Sequence, residues 1–308
     1  MEVRKALDGR AVVLMLVLCL TWGLQQSLLK LAAPDIAPIM QIAVRSGVAA
    51  LLVGLLMAWR KERLSLADGH WRAGLWVGCL FALEFLLISF ALHLTSASHT
   101  AVFLYTAPIF VALGLHFKIP AERLNALQWF GIALAFAGIV VAFMGRASAM
   151  TVASTPDVLW GDFLALLGGA SWAATTVVIR CSGLAKATAS QTLLYQLVSA
   201  FVLLLLAAMV TGQTTIKPTA MAWGSLLFQS LIVSFASFLV WFWLLKKYLA
   251  SELGVFSFVT PLFGVGFGVW LLGESLETRF LSGAVLVLAG VILVSGHGRI
   301  RSALRRSP

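Results

Sequence analysis

Apolar residues along this chain come in long blocks separated by short polar stretches. A helix needs about 20 apolar residues to cross a bilayer core, with a range of about 17 to 25. Ten blocks meet that requirement, near 10–32, 36–59, 72–93, 97–117, 126–145, 158–181, 188–211, 221–246, 252–273 and 279–296. The connections between them are short, and none is long enough for a soluble domain. The expected fold class is an all-α polytopic membrane protein.

The pattern is written twice. Leu94-Thr95-Ser96-Ala97-Ser98, Pro108, Glu122, Gly131, Ala137 and Gly138 return as Tyr248-Leu249-Ala250-Ser251, Pro261, Glu274, Gly283, Ala289 and Gly290. Thr21-Trp22-Gly23 running to Lys30 returns as Ser171-Trp172-Ala173 running to Arg180. This predicts a first five-helix repeat over 1–146, a connecting loop over 147–157, and a second five-helix repeat over 158–296. A basic tail over 297–308 follows. Two related apolar halves point to a transporter whose site lies between them.

Composition agrees. Of 308 residues, 61% are hydrophobic and only 11% charged, with mean hydropathy +0.98, which leaves too little polar surface for a soluble protein of this size. The net charge of +10 is spread between apolar blocks and in the tail, so it does not form the compact basic face that nucleic acid requires. Cys19, Cys79 and Cys181 are scattered singly through apolar stretches, which excludes disulfide or metal spacing and predicts small buried hydrophobes. The basic N-terminus before an apolar run resembles a signal peptide. That run has a counterpart in the second half, so it is read as a retained helix.

Charge also sets direction. With the N-terminus inside, seventeen Lys and Arg residues fall on cytoplasmic segments, against Lys30, Arg146, Lys217 and Arg279 outside. Both termini are then cytoplasmic. Because five spans per half is odd, the second half enters the membrane inverted, giving ten helices as two inverted five-helix repeats. Such pairs allow alternating access about a site near the midplane.

On these residues the chain resembles the drug/metabolite transporter superfamily, specifically its ten-helix EamA-type members. The carriers of the resemblance are Trp22-Gly23 leading to Lys30, Arg45, Ala91-Leu92, Ala97 to Pro108, Gly131 to Gly138, and the second half ending in Leu272-Gly273-Glu274. Within the superfamily it is similar to YddG-type bacterial amino-acid exporters. The resemblance implies a bacterial inner membrane, and a central cavity surrounded by helices one, three, four, six, eight and nine. Helices five and ten would pack at the periphery, where Gly131, Ala135 and Gly138 and Gly283, Ala289 and Gly290 allow close approach.

Glu84 is the sharpest candidate for chemistry. It falls in the middle of the third block among Phe81, Phe85, Leu87 and Ile88, while the other acids fall in tails, loops or helix ends. An acid at membrane depth is costly unless paired or hydrated, so it marks a site for a substrate ammonium or a proton. The structural alternative is a hydrogen bond or an ion pair with Arg45. A second set is aromatic and polar: Trp22 and Gln25, Trp172 and Thr176, Tyr105 on one face with Pro108, Ser257 four residues before Pro261, and Ser234, Ser237 and Trp241 at helical spacing. These suit an amphiphilic solute, although helix packing and interfacial belts use the same residues. Pro108 and Pro261 are hinge or gate candidates, with a static kink as the alternative.

Lys30 and Arg180 match across the repeats and are read as snorkelling to opposite interfaces. Glu122 and Glu274 match likewise and should serve helix ends. His93 and His99 are wrongly spaced for a metal pair, so neither metal nor cofactor is expected. The chain lacks a Walker-type phosphate loop and the His-Glu-x-x-His and Gly-x-Ser-x-Gly motifs, so it is expected to be neither an ATP-driven pump nor an enzyme. The leading reading is secondary export of amino acids, aromatic or other neutral ones including methionine and threonine, by a monomer in lipid. Efflux of cationic or apolar drugs stays open as the alternative.

Overall fold

The computed structural model describes residues 8–62, 70–118, 123–147, 155–248, 253, 257 and 259–304. Glu122 lies outside the described residues. Helices account for nearly all of them: α1 Gly9–Leu31, α2 Pro38–Trp59, α3 His70–Leu94, α4 Ala97–Leu104, α5 Ala107–Lys118, α6 Ala126–Ala147, α7 Thr155–Cys181 and α8 Ala189–Val210. Then come α9 Ala220–Leu227, a π-helical segment Phe228–Ser237, α10 Phe238–Lys247, α11 Val259–Leu272 and α12 Thr278–Leu304. Among the described residues seven helical stretches are long and apolar enough to span a bilayer, and three shorter apolar helices accompany them. The protein is a polytopic membrane protein.

Local chemistry sets the helix ends. Asp8 caps α1 by accepting from the Ala11 N–H at 2.8 Å, and Pro38 opens α2, where its missing N–H goes unused. Ser96, Thr188 and Thr219 cap α4, α8 and α9. Before α6, Asn125 and Gln128 exchange hydrogen bonds in a capping box. Gly273, at φ +64, ends α11 in the left-handed conformation that glycine adopts without penalty.

The fourth apolar block is not continuous. Helix α4 stops at Leu104, and α5 restarts at Ala107. Pro108 has no N–H to offer the Leu104 carbonyl and disfavours helical backbone just before it. The turn is closed instead by Thr106 Oγ1 donating to the Phe103 carbonyl and the Ile109 N–H donating to the Thr106 carbonyl. Tyr105 and Pro108 therefore do not share one helical face as expected; Tyr105 sits on the break itself. Pro261 lies in the first turn of α11, where its missing N–H interrupts no bond within that helix.

Packing is set by small residues and apolar faces. Helices α6 and α12 run antiparallel in extensive contact, with Gly138 beside Gly283 and Gly131 beside Gly290. A Cβ on Gly138 would stand 2.6 Å from the Gly283 carbonyl oxygen, so only glycine permits this approach. Elsewhere α3 packs on α7 and α8, α2 on α8 and the π-helical segment, α1 on α11, and α4 on α7 and α11. Large apolar side chains point outward around the molecule, including Leu51, Trp76, Val140, Val210, Trp270 and Val285. In water such a surface would aggregate; it is what a lipid-facing wall requires. Cys19 is buried as expected, but Cys79 and Cys181 are exposed, so for these two the expectation of burial is corrected.

Candidate functional site

Most of the candidate residues lie on α1, α3, α7, the π-helical segment, α10 and the α4–α5 break, with Arg45 on α2. Glu84 is buried on α3, with its Oε2 atom lacking a hydrogen-bond partner. Arg45, on α2, is 1% exposed and close enough to interact electrostatically with Glu84. Among the described residues the two make no direct ion pair. The Arg45 guanidinium instead donates from Nη1 to Gln229 Oε1 and lies over the Phe85 ring, 4.4 Å from Cζ to centroid. Gln229 in turn donates from Nε2 to the Gln25 carbonyl at 2.9 Å.

The aromatic candidates form a connected wall. Trp22 donates from Nε1 to Ser237 Oγ at 2.9 Å and meets Trp241 edge-on at 5.5 Å. Phe238 lies between Trp22 and Phe81, 6.4 and 6.2 Å from their ring centres, and Phe81 meets Phe85 edge-on. Tyr105 stands edge-on to Trp172 at 5.3 Å, and it and Cys19 both lie near Thr260 of α11. Edge-to-face geometry suits the ring quadrupoles and stiffens the wall.

Thr176 spends its hydroxyl on the Trp172 carbonyl one turn back, and Ser257 is buried at an isolated described position before α11. The structure also adds residues that the sequence reading passed over. Gln229 and Phe238 lie on the eighth apolar block, and an amide inside such a block was the available signal for Gln229. The π-helical register that carries Gln229, Ser234 and Ser237 was not expected. Such wide turns inside helices recur at functional sites.

Nearer one end of the bundle, a cavity of about 550 Å³ is lined by residues that include Lys30, Pro34, His93, Thr95, Leu272 and Glu274. Glu274 serves a helix end as expected, but that of α4: its carboxylate accepts from the Ala97 N–H at 2.7 Å, the Ser98 N–H at 3.0 Å and the Ser98 hydroxyl at 2.6 Å. Lys30 donates to the Thr95 carbonyl and stands 3.9 Å from Glu274, so it joins the end of α1 to two connecting segments rather than snorkelling alone. Close by, His99 Nδ1 meets Asp162 Oδ2 at 2.9 Å, and Thr95 donates to the other Asp162 oxygen. Asp162 is fully buried in the second turn of α7, which corrects its reading as a helix-end acid. Among the described residues no group of His, Cys, Asp and Glu side chains could hold a metal.

Comparison with known proteins adds to this geometry. The profile of the EamA-like transporter family matches residues 9–144 and 159–296. An uncharacterised transporter of Bacillus subtilis, YoaV, is 23% identical over 275 residues, covering 89% of this chain and 92% of that protein. A probable amino-acid metabolite efflux pump of Salmonella typhimurium is 26% identical, covering 96% and 97%. The inner membrane transporter YedA of Escherichia coli is 25% identical, covering 91% and 89%. A solved crystal structure, 18% identical, superposes with a TM-score of 0.66 over 94% of this chain and 97% of that one, a likeness of fold.

Proposed function

Because the chain belongs to the EamA-like transporter family, a family of carriers and not enzymes, we propose that it is a secondary exporter of amino acids and related small amphiphilic metabolites. It works by alternating access in a bacterial inner membrane. Glu84 binds the substrate ammonium. Trp22, Gln25, Tyr105, Trp172, Thr176, Ser237, Trp241 and Ser257 line the route, and Pro108 and Pro261 bound its moving segments. The observation that carries this reading is Glu84 itself. It is a buried acid at membrane depth with an unpartnered oxygen and no direct ion pair, framed by aromatic rings. The names of two relatives as amino-acid metabolite efflux pumps favour the substrate class.

The halves are two inverted five-helix repeats over 1–146 and 158–296, joined by the 147–157 loop, with the basic 297–308 tail and the N-terminus cytoplasmic. Three facts support this. Both stretches match the family profile. Exchanging each helix for its sequence counterpart carries the α1–α11 contact onto α7–α4 and the α3–α8 contact onto that of α2 with the π-helical segment. It leaves α2–α8, α4–α11 and α6–α12 as themselves. The paired glycines cross over as an antiparallel two-fold pair must, first-half Gly131 with Gly290 and Gly138 with Gly283.

The test is uptake of a radiolabelled panel of aromatic amino acids, methionine and threonine into proteoliposomes. Saturable, mutually competing uptake is expected, and Glu84→Gln is expected to reduce it at least about tenfold with the folded yield unchanged. Wild-type uptake in E84Q removes Glu84 from the site. Transport of a cationic amphiphile in place of every amino acid favours the drug-efflux alternative, for which an acid among indole rings is also suited.

A further inference from the structure

Arg45 and Glu84, a base and an acid, are both buried and lie close enough to interact electrostatically, yet make no direct ion pair. At membrane depth, two such groups lower their desolvation penalty most simply by pairing directly. Here the arginine side has other partners. Gln229 takes one guanidinium nitrogen, is itself oriented by its bond to the Gln25 carbonyl, and the Phe85 face supports the guanidinium plane. The separation leaves a donor, Arg45 Nε, and an acceptor, Glu84 Oε2, both buried and both without a hydrogen-bond partner. Orphaned polar atoms in an interior are rare and need a physical reason.

We propose that these two atoms are the ends of one zwitterion subsite, resting on the reading of the chain as an amino-acid carrier. Arg45 binds the α-carboxylate, Glu84 binds the α-ammonium, and Gln229 is a positioning residue that keeps the guanidinium from closing onto Glu84. A ligand with both charges on one carbon satisfies both orphans at once. A cation alone leaves Arg45 Nε unmet, and a monoanion alone leaves Glu84 Oε2 unmet. Phosphorylated substrates fit poorly, because Arg45 is the only buried Lys or Arg among the described residues. The rings of Phe81, Phe85, Tyr105 and Trp172 packed around this point suit an apolar substrate side chain. The site therefore selects free amino acids over their amides, esters or amines.

The decisive experiment is competition against radiolabelled phenylalanine uptake in proteoliposomes, or methionine or threonine if taken up faster. The competitors are the unlabelled amino acid, its carboxamide and its N-acetyl derivative. Each derivative lacks one charge and is expected to compete at least about tenfold more weakly with wild type. In Arg45→Gln the carboxamide should bind as before while the amino acid weakens, bringing the two within about threefold. Gln229→Leu leaves the charge in place and releases the guanidinium, and should shrink the same ratio.

Folded R45Q or Q229L protein that keeps the wild-type ratio overturns the proposal. So does wild type that accepts acid and carboxamide equally, a result that holds whether or not either variant folds. Wild type that carries a cationic amphiphile and no amino acid overturns the exporter reading instead, so the two failures are distinct.

Discussion

Single side chains here act through bonds that join distant parts of the chain. The Trp22 indole reaches Ser237 across 215 residues of sequence. Trp22→Phe keeps most of the apolar contact and deletes that bond, whose net worth is about 1 kcal/mol. A lower melting temperature in detergent is expected, with no change for Trp59→Phe, which alters an exposed ring. Equal shifts in the two variants would show that the bond contributes nothing. At the other end of α1, Asp8 accepts from the Ala11 N–H and from the Tyr248 hydroxyl, and these bonds hold its carboxyl below the usual carboxylate range. A depressed folded-state value stabilises the fold above the unfolded value, about 3.9, and the effect is lost as pH falls through the folded one. Asp8→Asn should therefore melt lower than wild type at pH 7, and the gap should be smaller at pH 3. A gap that is the same at both pH values would exclude this contribution. Glu84 stood out in the sequence because an acid inside an apolar block is unusual, and the fold buries it. Gln229 and the His99–Asp162 pair were not, because their meaning lies in partners that sequence spacing does not reveal.

Elements add constraints that no one residue carries. The fourth block reads as one apolar helix by composition, yet Pro108 divides it and presents Tyr105 to Trp172 at the break. The eighth block reads as an ordinary helix, yet part of it takes the wider π-helical turn. Periodicity cannot detect either change, because both keep the same apolar content. The small residues of α6 and α12 were legible as packing surfaces, and the contact the fold makes between them yields a sharp expectation. Gly138→Leu must push α12 away, since even a Cβ meets backbone there, with a loss of about 1–3 kcal/mol. Gly54→Leu, where a Cβ meets nothing within 4 Å, is the control and should melt as wild type. A G138L protein as stable as G54L would mean that the two helices separate without penalty.

At the scale of the whole molecule, contacts between connecting segments sort into two groups. Asp8 joins Tyr248 and His70 packs on Gly183, all on segments assigned to the cytoplasmic side. Thr219 donates to Asp35, and Lys30 stands beside Glu274, on segments assigned to the outer side. The proposed topology thus predicts the outcome of cysteine labelling in a background with Cys19, Cys79 and Cys181 replaced. A cysteine at Lys217 should react with a membrane-impermeant thiol reagent from outside intact spheroplasts, and one at Lys61 only after lysis. The reverse pattern would invert the molecule in the membrane.

The sequence by itself determined the membrane class and the family resemblance, and it proposed the doubled layout and Glu84. Each of these depends on local composition or on order along the chain, which burial in lipid constrains strongly. Only the tertiary structure decided that Arg45 lies near Glu84 without pairing, that its guanidinium donates to Gln229, and that Glu274 caps a helix 176 residues away. Those facts depend on which helix faces meet. In a chain whose helices are apolar nearly all round, the hydrophobic pattern does not choose the faces; glycine contacts and a few buried hydrogen bonds do.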